Sequence, residues 1–253
     1  MGVEDKVGDM LLEKASNMPG FKVYRNTFLM DVLSKKGFKK DDINKALEGS
    51  ILDVLTLSEI EDIANKRIFI QKGKVTAFSA ALGIPGGAAM IASAPADVVQ
   101  FFYCSGILSQ ELAYLYGYND FWDSTNNSIE GNDAIILFIG TMLGVGAASQ
   151  VVKEITSRLA EHVPKQMMKK ALSKNFIYKA TKDVLKFIGI KVTKDKFTNY
   201  IGKAIPILGA VISGGMTYYT FGEYAIKLRD KLNEGINDKE NICNGDNITI
   251  NME

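Results

Sequence analysis

Residues 75–118 read VTAFSAALGIPGGAAMIASAPADVVQFFYCSGILSQELAYLYGY, and no lysine or arginine occurs there or anywhere else between Val75 and Val152. The acids of that span are Asp97, Glu111, Asp120, Asp123, Glu130 and Asp133. Basic residues crowd both flanks, with Lys66, Arg67, Lys72 and Lys74 before the gap and Lys153, Arg158, Lys165, Lys169, Lys170 and Lys174 after it. A surface helix keeps one face wet with charge, so a gap this long needs a cause. Either its helices lie in the centre of a helical bundle, or they form a hairpin that meets a membrane.

Three runs carry no charge at all: Val75–Ala96, Ala134–Val152 and Ala204–Gly222. Each approaches the roughly 20 residues that a spanning helix needs. Gly140 with Gly144, and Ala210 with Gly214, place small residues one turn apart, a spacing that lets helix backbones approach closely. Against spanning, Pro85, Gly86 and Gly87 split the first run, and small residues dilute all three until insertion is marginal. Tyr114, Tyr116, Tyr118, Phe121 and Trp122 gather where the hairpin turns, as an interfacial belt would, although aromatic stripes are more often core.

The chain reads as helix almost throughout, with no strand-like alternation. Helices are expected from Val3 to Asn17, from an Asn26 cap to Gly37, and from an Asp41 cap to Gly49. A Ser58/Glu61 capping box opens a longer helix that breaks at Gly83. Pro95 suits the first turn of the next helix, which ends at Gly117. A long helix is expected from Asp133 to Val163, then shorter ones over Lys165–Gly189 and Thr193–Ala204, then a last one from Pro206 to Asn233. The expected architecture is all-α: a helical bundle with long Gly/Ala-rich central helices. Residues 1–56 form a small N-terminal helical group, 57–233 the core, and 234–253 a flexible acidic tail.

The 253 residues carry a net charge of +1, which gives no global pull toward nucleic acid. Charge is segregated locally. Lys153–Lys203 holds thirteen basic residues against four acids, an excess fit for anionic lipid, nucleic acid or an acidic protein, although a solvated helix face is the commoner reading. Cys104 and Cys243 read as reduced thiols of a cytosolic protein. The start MGVEDKVGDM is acidic and lacks the apolar core of a secretory signal.

Catalytic motifs are missing. The one histidine, His162, falls at a helix end where imidazole favours the dipole. There is no Gly-x-Ser-x-Gly elbow, no phosphate-binding loop and no His/Cys set for zinc. The acidic loop lacks calcium-loop spacing. No catalytic residue, metal or cofactor is therefore expected. Asp97 admits two roles: binding the free amides of a helix start, or joining Gln100 and Glu111 in a buried polar strip that holds a proton, ion or polar ligand.

The segment quoted above, with KAIPILGAVISGGMTYYTFGEYAIKL near the end, resembles the EcsC protein family. The resemblance spans Ile60 to Leu232. It rests on a Gly/Pro turn (Gly83, Pro85, Gly86, Gly87), a Pro-Ala-Asp helix start (Pro95, Asp97), a Tyr-Gly helix end (Tyr116, Gly117) and an Ile-Pro-x-x-Gly-Ala segment (Pro206, Gly209, Ala210). It implies a bacterial helical protein at or beside a membrane and supplies no catalytic residue. Together these readings give a non-enzymatic protein at the cytoplasmic face of a bacterial membrane, held peripherally or by an inserting Gly-rich hairpin. Its expected partner is anionic lipid or a membrane protein, and nucleic acid is not expected. The alternative is a soluble all-α protein-interaction module whose Gly-rich helices are its dry core.

Overall fold

A computed structural model describes residues 3–82, 96–123, 131–161, 174–193 and 214–246. Among them every regular element is helical, with no strand. A small N-terminal group comprises α1 (Val3–Ser16), α2 (Arg25–Lys35), α3 (Lys40–Glu48) and a 3-10 turn at Ile51–Asp53. The longer helices are α4 (Leu57–Leu82), α5 (Ala96–Leu115), α6 (Gly131–Met142), α7 (Gly146–Ala160), α8 (Lys174–Thr193) and α9 (Gly214–Asp246).

Burial explains the charge gap where its residues are described. Helix α5 packs against α1, α4, α6 and α9 at once, and residues 108–116 are all buried. In α6 every residue from Ala134 to Met142 is buried except Ile136. A helix packed in this way, with only a narrow half-buried face at Val99, Tyr103 and Ile107, has little surface left to charge. Tyr114, Tyr116, Tyr118 and Phe121 are buried with them, Tyr118 edge-on to Phe138 at 5.2 Å between centroids. The aromatics around the turn are thus core rather than an exposed belt. Among the described residues no single helix is long and apolar enough to cross a membrane. Taken together, α6 and α7 reach the required length and composition, but they are bent by 119°.

That bend corrects the expected helix from Asp133 to Val163. Gly144 has φ +82°; the Val145 amide donates to the Gly140 carbonyl at 2.8 Å and the Gly144 amide to Thr141 at 3.0 Å. These are the paired bonds of a helix end that needs a left-handed residue. Gly144 is therefore a turn residue in open space, not half of a helix-contact pair. Gly140 makes the close approach alone: a Cβ there would lie 2.3 Å from Val184 of α8 and 3.0 Å from Ala148 of α7.

Other boundaries also moved. The capping box is Thr56 with Glu59: the Thr56 amide donates to Glu59 Oε2 at 2.9 Å, and the Glu59 amide returns to Thr56 Oγ1 at 3.3 Å. Neither Asn26 nor Asp41 caps; the caps are Tyr24 and Lys39, without side-chain bonds. Helix α9 does not stop at Asn233 but runs to Asp246, because residues past 233 find partners on α7. Lys153 Nζ lies 2.9 Å from Asp238, and Gly235 sits so close that a Cβ would be 2.6 Å from Thr156. Of the helix expected over Thr193–Ala204 only Thr193 is described, as the last residue of α8, and the start of the one expected from Pro206 lies outside the described residues.

Candidate functional site

The candidate polar strip of α5 divides. Gly83, Pro85, Gly86, Gly87, Pro95, Pro206 and Gly209 lie outside the described residues, as do the side chain of Asp97 and His162. Glu111 is 4% exposed. Its carboxylate is held from α4, not by Gln100: Arg67 Nε donates to Oε2 at 3.0 Å, Arg67 Nη2 donates to Oε1, and Gln71 Nε2 reaches both oxygens at 3.2 and 3.3 Å. The Arg67 guanidinium also lies 5.5 Å from the Phe28 ring centroid. A bidentate pair of this kind joins two helices with a fixed geometry. One signal for it was present in the sequence, since an interior acid needs a countercharge and Arg67 is the last arginine before the gap.

Gln100 is buried nearer the start of α5, one turn before the buried Cys104 thiol. Burial raises that thiol from its ordinary 9.0 to about 12, which suits an inert interior cysteine. Gln100 Nε2 finds no partner among the described residues. Tyr116 donates its hydroxyl to Asn233 Oδ1 on α9, and the Asn233 amide donates to Glu61 on α4. Gly117, at φ +89°, ends α5: the Tyr118 amide reaches back to the Ala113 carbonyl at 3.1 Å.

A second cluster was not foreseen. Gln110 donates to the carbonyls of Phe21 (2.8 Å) and Gly106 (3.0 Å), and accepts from the Val23 amide and Trp122 Nε1, both at 2.9 Å. Asp120 accepts from the amides of Arg25 (2.7 Å) and Trp122 (2.9 Å). Buried Arg25 covers the end of α3, donating to the carbonyls of Ala46 (2.9 Å), Leu47 (3.0 Å) and Gly49 (3.2 Å). This network fastens the N-terminal group to α5 and satisfies carbonyls that a helix end leaves open. Loop and helix ends far apart in sequence meet there, so no local pattern announces it. Asp120, a candidate oxygen ligand in the acidic loop, is used for the fold. Among the described residues no three His, Cys, Asp or Glu side chains gather as a metal site.

Two pair registers fix the layout of the ends. Arg67 meets Glu111, and Glu61, earlier on α4, shares Asn233 with Tyr116, at the end of α5, so α4 and α5 run antiparallel. Glu61 meets Asn233, Asn65 meets Arg229, and Lys72 lies 3.9 Å from the Tyr218 ring centroid, so α4 and α9 do as well. Leu82, Ala96 and Gly214 therefore share one end of the bundle. Comparison with protein-family models, curated proteins and solved structures finds no match to this chain.

Proposed function

We propose that this chain is a non-enzymatic helical protein that works peripherally at the cytoplasmic face of a bacterial membrane. The motif resemblance to the EcsC family belongs to the same proposal. The observation that carries it is the shared helix end: the uncharged runs Val75–Ala96 and Ala204–Gly222 both join the bundle there. Charge-free sequence that meets the bundle at one end supports an approach to a bilayer from that end. The non-enzymatic part is supported by the polar groups of the interior and its edge, since Glu111, Gln110, Asp120 and Arg25 each bond to other parts of the fold.

A peripheral attachment fits better than an inserted hairpin, because α5 and α6 already serve as the interior of the bundle. That same burial favours a second reading, a protein-interaction module with these helices as its dry core. Membrane fractionation of expressing cells separates the possibilities. The proposal expects the protein in the membrane pellet and its release by alkaline carbonate. Retention after carbonate would mean insertion, and recovery wholly in the supernatant would favour the interaction module.

A further inference from the structure

We infer that the outer face of the α4/α9 seam is the docking surface, and that its ligand is an anionic lipid bilayer lying parallel to the two helices. This rests on the membrane reading and adds to it a face and a lipid class. Of the exposed large apolar side chains, Tyr219 (71%) and Phe69 (67%) are the most exposed, and Ile70 and Ile226 join them on the same two helices. The seam is tight: a Cβ on Gly222 would lie 2.7 Å from Lys72 Cε. Phe69 stands one turn from Asn65 and Lys72, which meet α9. Ile226 stands one turn from Gly222 and Arg229, which meet α4. The apolar groups therefore flank one seam instead of scattering around the bundle.

The charge around them selects the occupant. Lys66, Lys74 and Lys227 are exposed on these helices, and none pairs with a carboxylate among the described residues. The exposed acids on these helices include Glu223 on the same side of α9, Asp230, paired to Arg229, and Asp62 on α4, 3.9 Å from Lys36. An apolar strip rimmed by cations matches anionic headgroups over acyl chains: tyrosine settles at the interface and lysine stems reach outward to the phosphates. The competing face is α8, where Tyr178 is exposed under Lys182, 4.6 Å from its ring centroid, with Lys179 and Lys186 nearby. Helix α8 packs on α1, α6 and α7, away from the helices that carry the two uncharged runs.

Flotation with phosphatidylcholine vesicles, with and without phosphatidylglycerol, tests this on the full chain. Three proteins are compared with wild type: Phe69→Ser/Tyr219→Ser, Lys66→Glu/Lys74→Glu/Lys227→Glu, and the α8 control Lys179→Glu/Lys186→Glu. All substitutions are on exposed positions, and unchanged circular dichroism melts confirm folding. The expected result is wild-type flotation only with phosphatidylglycerol, at least a tenfold loss in each α4/α9 variant, and wild-type behaviour in the α8 control. Loss confined to the α8 control would overturn the assigned face while leaving the membrane reading intact. Equal flotation on neutral vesicles would overturn the anionic class. A lipid-free dimer dissociated by Phe69→Ser would overturn it in favour of a second copy of the chain. Failure of the wild type to float at all would overturn both readings.

Discussion

Glu111 and Arg67 illustrate how a buried charge gains meaning from its partner. Removing Arg67 strands the Glu111 carboxylate in the core, at a cost of about 3–5 kcal/mol, and removing Glu111 leaves the half-buried Arg67 without its partner, while replacing both by apolar groups of similar size is often neutral or stabilising. Arg67→Met and Glu111→Leu should each lower stability strongly, and the double variant should recover most of the loss. Urea denaturation of the three proteins measures this, and additive single losses would refute the pairing. The two glycines of α6 and its turn separate in the same way. Gly140→Leu drives a side chain into Val184 and Ala148, and overpacking costs about 1–3 kcal/mol or more. Gly144→Ala meets no neighbour and costs about 1–2 kcal/mol through its left-handed backbone alone. A Gly140→Leu protein that melts with wild type would mean that α6 and α8 do not touch there. Spacing read both glycines as a helix contact, and only Gly140 is one, because periodicity cannot tell a contact from a turn.

At the scale of elements, the legible features were those set by local chemistry. The helix ends at Gly37 and Gly117 need only a residue free to adopt positive φ, and the sequence supplies one. The break at Gly144 was missed because the apolar pattern continues across it. The capping box was placed two residues late because Ser58/Glu61 and Thr56/Glu59 have the same spacing. The end of α9 was illegible for a different reason. Residues 234–246 look like a polar tail, and only α7, far away in sequence, makes them helical through Lys153 and the Gly235 approach. Deleting residues 234–253 should therefore cost about 2 kcal/mol, chiefly from half-buried Ile236, or a few degrees in melting temperature. A truncated protein that melts with wild type would show that α9 past Asn233 contributes nothing to the bundle.

For the whole molecule, the lysine-free stretch posed one question: interior of a bundle, or hairpin for a membrane. The all-helical architecture was legible from periodicity, and the enclosure of α5 was not, because an apolar helix looks alike in a core and in lipid. Helices α5 and α6 lie inside the bundle, so the proposed membrane contact falls to the exposed α4/α9 face. Cys104 reports on this directly. It is buried in α5, and its thiol is pushed up to about 12 by that burial, so little reactive thiolate is available. Purified protein carrying Cys243→Ser, free of detergent and lipid at pH 8, should leave Cys104 unmodified by a thiol reagent until denaturant is added, then react in a single cooperative step. Modification of Cys104 in native buffer at the rate of the unfolded chain would contradict the account, because α5 would then not be the interior of a self-sufficient bundle.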